Sequence, residues 1–238
     1  MKSTCCLILL LITTAALPGC SSQKYATLER YDKGLVLCLG GAGGNQWQAD
    51  RIRRGLGEAG ITYAVEMYQW SRYNLLEDLT DLPRNRNRAG RLARHIELYR
   101  DRYPGRPVWV IGVSGGTAIS VWGVEQLSPD HSVADLILVS STLRHTYDLT
   151  KAMEKTNDGV YSFHSPYDAV LRLAMPVFRT GDRQGTQAAG VSGFTFPTDV
   201  DEPANQLYQQ KLIQRSWKLD DAWQGNLGGH HSTSSQRL

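Results

Sequence analysis

Along this chain, short unbroken apolar runs alternate with stretches in which apolar positions recur every three or four residues. Leu35-Val-Leu-Cys-Leu39 and Val108-Trp-Val-Ile-Gly-Val113 are runs of the kind that a strand buried on both faces requires. Ile61 to Tyr68, Leu136 to Val139 and Val160 to Phe163 predict three more strands, and Phe194 to Phe196 predicts a short last one. Helical spacing shows at Ala49, Ile52, Leu56 and Ala59, stopped by Gly60, and again at Leu92, Ile96, Tyr99 and Tyr103, stopped by Pro104-Gly105. Further helices are expected from Gly115 to about Leu127 and from about Asn205 to Arg215. Strands alternating with helices in this way predict a mostly parallel sheet covered on both faces. No internal repeat or long linker divides the chain, so residues 34–238 read as one α/β domain.

The N-terminus has a different character. Lys2 precedes an apolar run from Cys5 to Ala16, too short for a bilayer span, which takes about 20 apolar residues. The run ends in Leu17-Pro18-Gly19-Cys20, which resembles a bacterial lipobox. That resemblance implies that residues 1–19 are a lipoprotein signal peptide and that Cys20 is lipidated as the first mature residue. Ser21 and Ser22 follow where an Asp would favour the inner membrane. The expected location is therefore the cell envelope, anchored by lipid in the outer membrane. Residues 20–33 read as a polar tether without periodicity. Once Cys5 and Cys6 leave with the signal and Cys20 carries lipid, only Cys38 remains, so no disulfide can form within the chain. In its apolar run Cys38 is expected to be a buried, inert thiol.

Composition narrows the functional classes. The chain has 41% hydrophobic and 21% charged residues, ordinary for a globular domain, and a net charge of +3. Arginines crowd between Arg84 and Arg106, but Glu97 and Asp101 are interleaved with them. This reads as a solvated helix face rather than a nucleic-acid surface.

The chemistry centres on Gly112-Val113-Ser114-Gly115-Gly116, a G-x-S-x-G pattern between an expected strand and an expected helix. A serine at such a strand-to-helix turn needs small neighbours and receives the positive end of the helix behind it. Its oxyanion needs two backbone N–H donors, one from Gly115 and one from the glycine run at 40–44. That run is no phosphate cradle, since it lacks the Gly-Lys-Ser/Thr ending and Gln46 stands where G-x-G-x-x-G needs its third glycine. An acid and a histidine should follow in chain order. Asp168, after the strand ending at Phe163, stands where the acid is expected, and Asp182, beside two arginines, is the alternative, otherwise read as an ion pair. His230 and His231 are the histidines that follow both acids. They lack further ligands at metal spacing, and no metal or organic cofactor is called for. His95, His131, His145 and His164 read as structural.

These elements together resemble a group of small bacterial hydrolases within the α/β-hydrolase superfamily. The landmarks are the Gly-Gly-Ala-Gly-Gly loop, Tyr68-Gln69-Trp70, Gly112 to Gly116, Ser165-Pro166-Tyr167-Asp168, Phe178 to Arg183, and Gly228-Gly229-His230. The resemblance implies an α/β-hydrolase fold and esterase-like activity. Matched to the superfamily's His-Gly-x pattern, it puts Ala42 at the second oxyanion donor. A single histidine in similar sequences matches His230, and the element holding Asp182 also recurs. The expectation is a serine hydrolase acting on a small acyl ester through Ser114, Asp168 and His230. Thioesterase or peptidase activity on the same triad, or a non-catalytic binding lipoprotein on the same scaffold, are the alternatives. No large lid is evident after Val139, which predicts an open site and a modest acyl group.

Overall fold

The computed structural model describes residues 23–44, 46–197, 202–223 and 228–230. The expected signal peptide, Cys20 and His231 lie outside the described residues. Among the described residues six strands form one sheet: β1 (Leu35–Leu39), β2 (Ala64–Met67), β3 (Val108–Val113), β4 (Val133–Val139), β5 (Thr156–His164) and β6 (Leu212–Ser216). Their order is β2-β1-β3-β4-β5-β6 and every pairing is parallel. Helices connect them: α1 (Leu28–Tyr31), α2 (Trp47–Glu58), α3 (Leu75–Thr80), α4 (Leu82–Arg102), α5 (Gly115–Glu125), α6 (Thr150–Glu154), α7 (Ala169–Phe178), α8 (Ala189–Ser192), α9 (Glu202–Lys211) and α10 (Leu219–Trp223).

The alternation of side chains along each strand sorts them into two cores. Leu35, Leu37 and Leu39 of β1, with Val108 and Val110 of β3, pack against α4, α5, α6 and α9. Val36, Cys38 and Ile111 point to the other face, where Ala49 of α2 and Tyr25 cover them. Both faces are apolar, as a sheet covered by helices on both sides demands. Each fully buried Leu contributes roughly 1.5–3 kcal/mol, and Leu35, Leu37, Leu39, Leu136 and Leu138 are all fully buried.

Local signals set the helix ends. Asp81 caps α4 by accepting from the Arg84 N–H at 3.0 Å, with Pro83 in the first turn. Asn74 caps α3 in the same way. The chain winds from β1 to β2 on one side and returns to β3 on the other. The ends of β1 and β3 therefore lie side by side, with Leu39 opposite Gly112. In open α/β sheets such a reversal point is where ligands bind.

Four expectations need correction. Phe194 to Phe196 is not a strand. Phe194 is buried, but its N–H and C=O are taken by the side-chain amide of Gln214, at 2.7 and 2.8 Å, in place of a ladder partner. The sixth strand is instead Leu212–Ser216, which the sequence merges into the preceding helix. Nor is the arginine-rich helix wholly solvated, because Arg88 is buried and paired with Asp78. Within the stretch read as a tether, Tyr25 is buried and α1 forms, capped by Thr27.

Candidate active site

Ser114 sits between the last residue of β3 and the first of α5 with φ 51° and ψ −124°, a conformation a non-glycine residue adopts only when its surroundings enforce it. Those surroundings are explicit. The Ser114 N–H donates to the Val139 carbonyl at 3.0 Å. Its own carbonyl accepts from the Thr117 N–H at 3.0 Å and from Thr117 Oγ1 at 2.5 Å. The flanking glycines are steric necessities. A Cβ on Gly112 would lie 2.6 Å from Ser120 Oγ, and one on Gly116 would lie 2.5 Å from the Gly40 carbonyl.

From Ser114 a chain of hydrogen bonds runs inward. Ser114 Oγ lies 2.9 Å from His230 Nε2, and His230 Nδ1 lies 2.8 Å from Asp168 Oδ2. Asp168 is fully buried and is the N-cap of α7, where its Oδ1 accepts from the Leu171 N–H at 3.0 Å. With that oxygen engaged, Oδ2 faces the imidazole. His230 is carried on Gly228-Gly229; Gly228 has φ 74°, and a Cβ there would meet the Trp217 ring at 2.9 Å, so both conformation and space call for glycine. Asp182 is elsewhere: it is buried against Arg144 Nη1 at 2.8 Å and Thr180 Oγ1 at 2.6 Å. His95 and His131 hold Glu66 and Asp101 respectively, away from this chain of contacts.

The glycine loop after β1 lies against the nucleophile. The Cβ position of Gly41 is 3.7 Å from Ser114 Oγ, and that of Gly115 is 3.0 Å from the Ala42 nitrogen. Among the described residues neither the Ala42 nor the Gly115 amide has a hydrogen-bond acceptor. The Gly43 N–H, by contrast, is taken by Asp78 Oδ2 at 2.8 Å. Trp70, in the Tyr68-Gln69-Trp70 landmark, donates from Nε1 to the Gly40 carbonyl at 2.8 Å. Asp78, Ser71 and Arg88 were not singled out in the sequence. Only the Tyr68-Gln69-Trp70 landmark pointed near them.

Apolar side chains are exposed on the two helices that follow these loops: Tyr73 just before α3, Leu75 and Leu76 at its start, and Val170, Leu173 and Val177 on α7, with Arg72, Asn74 and Arg172 exposed among them. Arg183 ties the far ends of the two helices together through the Leu79 and Phe178 carbonyls. Behind Gly115 a cavity of about 20 Å³, lined by Leu79, Ile119, Trp122 and Met175 among others, is too small for an acyl chain.

No protein-family model and no curated protein matches the chain. Among solved structures, Aspergillus fumigatus lipase B superposes with a TM-score of 0.52 at 12% identity, over 88% of this chain and 51% of the lipase. This is an α/β-hydrolase fold. An uncharacterized protein from Bacillus cereus ATCC 10987 superposes with a TM-score of 0.48 at 12% identity, over 78% of this chain and 53% of its own. A lipase-esterase related protein from Clostridium acetobutylicum ATCC 824 gives 0.45 at 10% identity, over 84% and 89%. The chain spans about half the length of the first two.

Proposed function

We propose that this α/β-hydrolase-fold protein is a serine hydrolase that cleaves small carboxylic esters through an acyl-enzyme on Ser114. The observation that carries the reading is the continuous hydrogen-bonded series Ser114 Oγ, His230, Asp168, beside two amides without acceptors. As Ser114 Oγ attacks the acyl carbonyl, His230 Nε2 takes its proton. Asp168, which accepts from Nδ1, holds the tautomer and stabilises the imidazolium. The carbonyl oxygen becomes an oxyanion bound by the N–H groups of Ala42 and Gly115, with the positive end of α5 behind them. Collapse expels the alcohol, which takes the proton back from His230. Water, deprotonated by the same nitrogen, then attacks the acyl-enzyme and releases the acid and free Ser114.

The exposed apolar side chains of α3 and α7 give the acyl group a surface to lie on. The likeness to a lipase agrees with ester chemistry, but folds host many activities and the geometry bears the weight. The location read from Cys20, a lipid anchor in the cell envelope, belongs to the same proposal.

The test is to treat the full-length protein with a fluorophosphonate probe and map the adduct by mass spectrometry, alongside a panel of esters of graded acyl length. The expected adduct is on Ser114, and it should vanish in Ser114→Ala with the circular dichroism spectrum unchanged. An adduct on Ser140 or Ser165, or labelling that survives Ser114→Ala, would reject the reading.

A further inference from the structure

A buried charge outside the reacting groups grips the glycine loop that carries Ala42. Asp78, on α3, has its side chain fully buried. Its Oδ2 accepts from the Gly43 N–H at 2.8 Å and from Ser71 Oγ. Its Oδ1 receives Arg88 Nη1 of α4 at 2.5 Å, and its carbonyl receives Asn85 Nδ2 at 2.7 Å. Arg88 is itself buried and lies over the Trp70 ring, 5.6 Å from its centre. Trp70 in turn donates to Gly40. The loop is thus held at Gly40 and at Gly43, with Ala42 between the two grips.

Stability alone is a poor account of this arrangement. A buried ion pair roughly breaks even against apolar side chains of the same volume, because both charges lose their hydration. What the pair supplies here is order in a segment with little of its own. Residues 40–44 contain four glycines, the residue type that loses most conformational freedom on folding. Gly43 adopts φ 78°, a conformation glycine reaches without steric cost, and its N–H is held there by Asp78 Oδ2. Oxyanion donors help only when they are aimed before the charge develops. By taking the Gly43 N–H, Asp78 also fixes which amides of the loop remain for an oxyanion.

We propose that Asp78, charge-balanced by Arg88, is the positioning residue of the oxyanion loop, acting through the Gly43 N–H on the Ala42 amide. This rests on Ala42 being an oxyanion donor of the hydrolase reading. Asp78→Asn keeps the shape and removes the charge that holds Arg88. In the full-length protein it should lower kcat by about tenfold or more, short of the loss of a whole donor, with KM changed far less. Inhibition by a trifluoromethyl ketone, which forms a tetrahedral adduct on the nucleophile, should weaken in step with kcat/KM. Hydrogen exchange at residues 40–44, read without any substrate, should speed up by about tenfold or more while β4 stays protected.

If Asp78→Asn fails to fold, Asp78→Asn/Arg88→Gln, which leaves no lone buried charge, takes its place. Unchanged exchange at 40–44 in a folded variant would overturn the proposal. So would faster exchange with kcat unchanged, which makes Asp78 a structural tie only. A wild-type protein that hydrolyses no ester and takes no probe at Ser114 is a different failure, that of the hydrolase reading. The exchange measurement still decides whether Asp78 orders the loop.

Discussion

Asp168 gives each carboxylate oxygen its own partner, the Leu171 N–H on one side and His230 Nδ1 on the other. Asp182 is nearly as buried but faces Arg144 and Thr180. The two aspartates should therefore fail in opposite ways when each is made Asn. Asp168→Asn keeps a hydrogen bond to the imidazole but favours the wrong tautomer, an effect of about 10⁴ in kcat where a serine-protease triad has been tested. Its melting temperature should change little. Asp182→Asn leaves Arg144, a quarter exposed, without its buried partner. It should lose about 1–3 kcal/mol of stability and keep most of its turnover. Measuring kcat and denaturant midpoints for both variants decides the matter: a crippled Asp182→Asn beside an active Asp168→Asn moves the acid to the later loop. His230→Ala should be inactive, and residual turnover near wild type would remove His230 from the mechanism.

At the scale of elements, the strand-turn-helix around Ser114 works because two glycines let neighbouring backbone come close. Gly116→Ala would press a methyl onto the carbonyls of Gly40 and Leu39, at 2.5 and 2.7 Å. We expect a loss of at least about 1–3 kcal/mol, the range for overpacked sites, together with lowered turnover because Gly40 leads into the oxyanion loop. Gly55 in α2 is the contrast, with open space where a Cβ would stand. Gly55→Ala should stabilise the protein by about 0.4–1 kcal/mol with activity unchanged. Equal destabilisation by both in urea titrations would contradict this account. This element was legible in the sequence, because a continuous apolar run, small residues and a helical stretch agree about one structure. β6 was not. Its one fully inward residue, Leu212, follows α9 without a break, and Gln214 and Arg215 give it the look of a solvated helix end. Asp78 and Arg88 were hidden for a related reason. Charges on helices read as solvated, and a pair ten residues apart on two different helices has no spacing that marks it as buried.

At the scale of the whole molecule, the site joins residues 116 positions apart, so it exists only when the complete sheet is formed. The N-terminal segment is part of that body. Tyr25 is buried against α2, and Cys20 is three residue steps from Gln23, a reach of about 10 Å at most. If Cys20 is acylated the domain must lie close to its membrane, and Cys20→Ala should move the protein to the soluble fraction or block its processing. Unchanged membrane association would refute the anchor. A second tie acts through charge. Glu66 of β2 accepts from Tyr31 of α1 at 2.7 Å and pairs with His95 of α4 at 2.9 Å. The hydrogen bond to Glu66 raises the pKa of His95 against the opposing effect of burial. Burial pushes Glu66 up, but the bonds from His95 and Tyr31 outweigh it and its pKa is lowered. The His95 contribution is complete below its unfolded value of about 6.5 and fades as pH rises through the raised folded value. The Glu66 contribution is complete above its unfolded value of about 4.3 and fades as pH falls through the lowered one. Both are in force between roughly pH 4.5 and 6.5. Because His95 is partly exposed, the tie is worth on the order of 1 kcal/mol or less, about 2–4 °C in Tm. Comparing wild type with His95→Gln across pH 5 to 8 should show the widest gap in Tm near the acid end and a narrowing gap toward pH 8. A gap of constant size would mean that folding leaves the pKa of His95 unchanged, and the charge on His95 would then add nothing to its hydrogen bond with Glu66.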